Sequence, residues 1–231
     1  MNEIKNKKLG FIRDIIGCLT YPRSSFKSIL EKPSLMKAVV LILVIAIIAA
    51  WADFNYSGKL PLLSLPDEQP PGQFPGQGSP VSSEQIRQVS MIMGAIIGLI
   101  GVFGTWLISS GLLHTFSSRL GEKASFRNML TLAGYASAPL LIQHVLRLAD
   151  SFMVSQEALQ LTATLQILAD PLLNSIANAA VDIFTIFRLW SMALLIIATR
   201  ENYKMSTARS TVATVLSFII VVFVSAFLPL T

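Results

Sequence analysis

Arg188 stands inside AVDIFTIFRLWSMALLIIAT, an arginine among residues that belong in hydrocarbon. A charge at the bilayer centre costs about 2.5–3.5 kcal/mol on insertion scales. Arg188 therefore has to face protein or water, and it needs an acceptor. Asp182 lies six residues earlier, and at about 100° per residue that places it off the arginine's face. Asn174, Asn178 and Asp182 form a polar stripe at helical spacing, and Gln143, His144 and Arg147 crowd a second apolar run. Asp53, Asp150 or carbonyls freed by Pro139 are the expected acceptors for Arg188. The expected polar cluster is thus Arg188, Asp182, Asn178, Gln143, His144, Arg147 and Asp53. Such a set has two uses: a structural network between helices, or the lining of a hydrated cavity for an ion or a lipid headgroup.

No other constellation carries chemistry. The chain has no glycine-rich phosphate loop and no nucleophile elbow. Its two histidines, His114 and His144, sit in different apolar runs, so a histidine-rich metal site is excluded. One cysteine, Cys18, excludes an intrachain disulfide and a cysteine cluster for metal. No catalytic residue, cofactor or metal is expected. A membrane-embedded enzyme would need paired acids or histidines within the spans, and only Asp182 and His144 qualify. His114 reads as a satisfied histidine at the interface rather than a proton relay. Cys18 reads as a small buried apolar residue rather than an acylation site.

The elements that hold these residues follow from composition. Of 231 residues, 53% are hydrophobic and 13% charged, about half the charge of a soluble domain; mean hydropathy is +0.62. The fold class expected is all-α, a polytopic membrane protein. A span needs about 20 apolar residues, and five candidates emerge, at about 35–52, 89–116, 129–148, 179–199 and 211–228. Lysine and arginine test this division, because they concentrate in cytoplasmic loops. Lys5, Lys7, Lys8, Arg13, Arg23, Lys27, Lys32 and Lys37 precede span one. Arg119, Lys123 and Arg127 follow span two; Arg200, Lys204 and Arg209 follow span four. Fourteen of the 18 basic residues then share one side. The N-terminus is expected in the cytoplasm and the C-terminus outside. Arg13 and Asp14 break the first apolar stretch, so it does not read as a secretory signal. The +5 charge is spread over three edges facing lipid headgroups, and no nucleic acid is expected as a partner.

Residues 1–33 precede the first span and form a cytoplasmic collar. Leu9, Ile12, Ile15, Ile16 and Leu19 recur at helical spacing, which predicts an amphipathic helix. Tyr21-Pro22 ends it, Ser24 is placed to cap a second short helix carrying Phe26, Ile29 and Leu30, and Pro33 ends that one. Such a pair belongs in the cytoplasmic interface. Pro22, Phe26 and Ile29 then either pack on the bundle or receive a partner. In the second case, replacing Phe26 and Ile29 with Asp releases the partner and leaves the bundle folded. Residues 34–231 form the membrane domain. Gly94, Gly98 and Gly101 share one face of span two, with Thr105, for close helix packing within or between chains. Residues 53–88, rich in Pro, Gly, Ser and Gln, read as an external loop. Residues 151–172 suggest an external surface helix.

Three stretches resemble a known family. YPRSSFKSILEKPSLMKA, SFRNMLTLAGYASAPLLI and RLWSMALLIIATRENYKMSTARS are similar to the collar, third-span and fourth-span regions of the Yip (Ypt-interacting protein) family, five-span membrane proteins with relatives in bacteria and archaea. The resemblance runs from about Tyr21 to the end. Relatives often carry a glycine in the loop after span four; this chain has none there, which puts the turn geometry in question. Eukaryotic members are associated with Rab GTPases and vesicle traffic, so the resemblance implies a non-enzymatic scaffold or adaptor of membrane organisation. A small channel or transporter built on the Arg188 cluster is the alternative. The partners expected are the lipid bilayer, a membrane or cytoplasmic protein and a second copy of the chain. The compartment expected is a prokaryotic plasma membrane.

Overall fold

The computed structural model describes residues 2–59, 83–157, 159 and 185–227. Among them the chain is helical, with no strand: α1 (Asn2–Thr20), α2 (Pro22–Glu31), α3 (Leu35–Lys59), α4 (Ser83–Leu120), α5 (Phe126–Ala136), α6 (Ala138–Met153), α7 (Ile186–Tyr203) and α8 (Thr207–Phe227). In hydrocarbon, helices satisfy their own backbone groups, and the long apolar runs leave the chain no other solution. Helix α3, 25 residues long, measures about 37 Å, enough to cross a hydrocarbon core of about 30 Å. Glu84–Leu120 of α4 is also long and apolar enough to cross, and α5 with α6 makes a third crossing if that bent pair is one span. By length and composition, then, the described helices give two or three spans rather than the expected five. Helix α3 runs on to Lys59 and α4 starts at Ser83, so both ends of the expected 53–88 loop are helical.

The helices pack as a ring with one helix inside it. Going round, α3 packs on α4, α4 on α8, α8 on α7, α7 on α6, and α6 back on α3; α5 touches α3, α4 and α7. Its sequence explains the central place. From Thr131 to Ala136 every residue is buried, and Gly134 lies so close to Ala38 of α3 that an added Cβ would collide with it. A helix buried all round needs small residues to let neighbours approach. Pro139 in the first turn of α6 ends α5, and the two helices meet at 42°.

The collar shares this core. Phe26 is 0% exposed and Cys18 and Ile29 are buried with it, in the same cluster as Leu41, Tyr135 and Tyr203. Helix α2 packs on α1 and α7. It starts at Pro22, which needs no amide partner at the first helical position. The expected Ser24 cap is not used: the Ser24 hydroxyl donates to the Tyr21 carbonyl at 3.0 Å. Arg23 Nε reaches Glu201 of α7 at 3.0 Å, Lys27 reaches it at 3.7 Å, and Lys37 of α3 pairs with Asp14 of α1 at 2.9 Å.

The turn after α7 answers the missing glycine. Lys204 adopts the left-handed conformation, φ 47° and ψ 42°. An L side chain pays roughly 1–2 kcal/mol there. The turn is held by Glu122 N–H donating to the Tyr203 carbonyl at 2.8 Å and by an exposed Lys204–Glu122 pair at 3.0 Å. Exposed pairs contribute little, so relief of strain should win. Lys204→Gly is expected to stabilise the protein by about 1 kcal/mol. A thermal-unfolding series in detergent checks this, and an unchanged or lowered midpoint contradicts it.

Candidate functional site

Polar residues come together where α3 meets α6. Asp53, in the C-terminal half of α3, accepts from Arg147 of α6 at 2.7 Å. Arg147 also lies over the Tyr56 ring, 5.7 Å from its centroid, and the Tyr56 hydroxyl donates to Asp150. Asn55, beside Tyr56, donates to the Ser151 hydroxyl at 3.2 Å, and Lys59, one turn after Tyr56, donates to the carbonyls of Phe152 and Val154 at 3.2 and 2.9 Å. The spacing explains the ladder: Tyr56 lies one turn after Asp53 and Lys59 one turn after Tyr56 on α3, while Asp150 and Ser151 lie three and four residues after Arg147 on α6, so neighbouring rungs follow turn by turn along the two helices. Asp53 therefore pairs with Arg147 and is not the acceptor for Arg188 that the sequence suggested.

Helix α4 closes over this ladder. A Cβ at Gly98 would collide with the Asp53 carboxylate and one at Gly94 with the Ser57 hydroxyl, while Gly101, one turn further along the same face, is buried. Gly94 and Gly98 therefore face α3 within the chain. That bars larger side chains over Asp53 and lets α4 cover it.

Arg188 lies apart from the ladder. Helix α7 starts at Ile186, with Thr185 extended before it, so Arg188 is in the first turn rather than mid-helix. His144 of α6 is buried, and Arg188 and Arg147 are both near enough for their charges to act on it. Gln143 precedes it on α6. The carbonyl of Ala136, at the bend before Pro139, goes to the Ser191 hydroxyl of α7 at 2.8 Å instead of to Arg188. Asn178 and Asp182, with Asn174 and the expected surface helix at 151–172 beyond residue 159, fall outside the described residues. Of the expected cluster, the structure joins Asp53 to Arg147 directly and buries His144 within range of the charges of Arg147 and Arg188. Tyr56 and Ser191 are the working residues that sequence reasoning missed, and Asp150, expected as an acceptor for Arg188, accepts from Tyr56. The i, i+3 spacing of Asp53, Tyr56 and Lys59 was the available signal.

At the other end, His114 Nδ1 is 2.6 Å from the Tyr203 hydroxyl, with the ring against Phe126. It is a satisfied histidine within the packing of α4, α5 and α7. Pro22 opens α2, and Phe26 and Ile29 lie in the core. The expectation that these two receive a partner is corrected: Asp at either site would bury a charge and unfold the collar. Burial, and then the charge of Asp14, push the Cys18 thiol up to about 12.

A helical ring with two or three helices or helix pairs long and apolar enough to cross a bilayer marks an integral membrane protein. The chain belongs to the Yip1 domain family, whose model matches residues 16–228. The match includes most of the collar. Comparison with curated proteins and with solved structures returns no match.

Two measurements test this geometry. A double-mutant cycle on Asp53→Ala and Arg147→Ala is expected to give a coupling of about 1 kcal/mol, as for residues in contact; additive losses contradict the ladder. The Cys18 thiol, protonated in the native state while the unfolded thiol titrates near 9.0, loses its stabilising contribution as pH rises above that value. Maleimide at pH 8 should leave the folded protein unlabelled and label it after denaturation. Fast native labelling would show that α1 opens.

Proposed function

We propose that this protein is a non-enzymatic scaffold of a cell membrane, crossing it five times, with its N-terminal collar in the cytoplasm and its C-terminus outside. The observation that carries this reading is the shared core. Phe26, Ile29 and Cys18 of the collar are buried with residues of α3, α5 and α7, so the collar is a rigid cytoplasmic platform rather than a tether. A rigid platform on a membrane-embedded ring suits presentation of a fixed surface to a partner. Membership of the Yip1 family supports a role in membrane trafficking or organisation. Five crossings fit the ring, in which α3, α4, the α5–α6 pair, α7 and α8 each take a side or the centre. The seam between α3, α4 and α6 supports an internal structural network better than a conduction path, because its charges pair with one another.

The surface for a protein partner is the outer face of α2, where Ser28 and Lys32 beyond its end are exposed. The test is crosslinking in native membranes followed by mass spectrometry of wild type, Arg188→Ala, and Ser28→Trp with Lys32→Glu. A scaffold keeps one specific partner at constant ratio in the Arg188 variant and loses it in the α2 variant. The alternative, a channel or transporter using Arg188, requires solute flux in proteoliposomes that Arg188→Ala changes while the protein stays folded. Such flux would overturn the scaffold reading.

A further inference from the structure

Helix α1 carries more apolar surface than the bundle covers. At about 100° per residue, Cys18, Phe11, Ile15 and Leu19 occupy one arc, and all four lie in or against the core. The arc continues apolar: Ile12 and Ile16 follow Leu19 round the helix, and they are 56% and 54% exposed. Polar residues resume only after them, at Thr20 and Arg13. Gly17 and Asp14, on the other side, are taken by α2 and α3: an added Cβ at Gly17 would strike Ser25 of α2, and Asp14 pairs with Lys37 of α3. One apolar edge of α1 is thus left beside the bundle, bounded by the core on one side and by polar residues on the other.

The level of this edge is fixed by two contacts. Lys37, which holds Asp14, is in the first turn of α3, and Phe11 packs edge-on against Tyr135, whose neighbour Gly134 meets Ala38. Helix α1 therefore lies at the height where α3 begins. From that height α3 presents a continuous outward apolar strip, starting with Met36 at 73% exposed and running through Val40, Leu43, Val44 and Ile47. On a membrane-crossing helix such a strip faces acyl chains. We propose that the Ile12–Ile16 edge of α1 is inserted in the acyl boundary of the cytoplasmic leaflet, so that lipid, not a soluble protein, occupies this edge of the collar. A helix at this height with a polar back and an apolar edge suits the interface plane. The inference rests on the proposed membrane scaffold, with its cytoplasmic collar. It divides the collar's surfaces: the α1 edge for lipid, the α2 face for protein.

The test uses the full chain in a Cys18→Ala background, with an environment-sensitive fluorophore on Ile16→Cys, Met36→Cys or Ser28→Cys. Each is reconstituted in vesicles of phosphatidylcholine and phosphatidylglycerol containing lipid spin-labelled high on the acyl chain. Ile16 should be quenched to a degree close to Met36, with Ser28 unquenched. Quenching at Met36 without quenching at Ile16 would overturn the inference alone and leave the α1 edge open to a water-borne partner. Loss of quenching at Met36 as well would overturn the membrane reading beneath it. Ile12→Cys repeats the test should Ile16→Cys fail to fold, and it carries the same expected and contrary results.

Discussion

The rest of the structure depends on how closely helices can approach α5. That helix is buried from Thr131 to Ala136, within a ring made by α3, α4, α6, α7 and α8. In lipid, association gains little from the hydrophobic effect and rests on packing and on hydrogen bonds between helices. Small residues are what such packing requires, and Ala133, Gly134 and Ala136 supply them. The collar completes the same arrangement: Phe11 lies against Tyr135, and Phe26 is sealed in the cluster that holds Tyr135 and Tyr203. One packed core therefore runs from the middle of the bundle into the N-terminal helices.

Polar groups are distributed by the same constraint. A charge in an apolar setting without a partner is costly, and Asp53 and Arg147 are paired across α3 and α6. The bend between α5 and α6 frees carbonyls, and Ser191 takes that of Ala136. At the end of the bundle that carries the collar, the turns are stitched together. Arg209 of α8 donates to the Leu120 carbonyl at 3.2 Å, and the Ser210 hydroxyl donates to the Ile196 carbonyl. The C-terminal ends of α4 and α7 and the start of α8 are thereby fixed relative to one another, which gives the collar a firm surface to rest on.

Much of this was legible in the sequence. The apolar runs gave the helices, Tyr21-Pro22 gave the break between α1 and α2, Pro139 gave the bend, and the spacing of Gly94, Gly98 and Gly101 gave a packing face. What was not legible was which apolar side chains meet protein and which meet lipid. In a soluble protein the helical period separates core from solvent; in a membrane protein both environments can be apolar, so Phe26 and Ile12 look alike in sequence although Phe26 is buried and Ile12 is exposed. The partner of Asp53 was hidden for a related reason. Several cations were plausible by distance along the chain, and only the crossing of α3 with α6 selects Arg147. Arg188 was placed mid-span by hydropathy, whereas α7 starts at Ile186, two residues before it, after the extended Thr185. Lys204 shows the converse. The missing glycine was visible, and the backbone takes the left-handed turn without it.

The central claim is that collar and bundle are one folded unit. Hydrogen–deuterium exchange of the full chain in lipid nanodiscs tests it most directly. Amides of α2 around Phe26 and Ile29 should be protected to the same degree as those of α5 and α7, since opening α2 would require opening the shared core. Exchange of the α2 amides within seconds, while α5 and α7 stay protected, would show the collar to be a separately moving segment and would contradict the account.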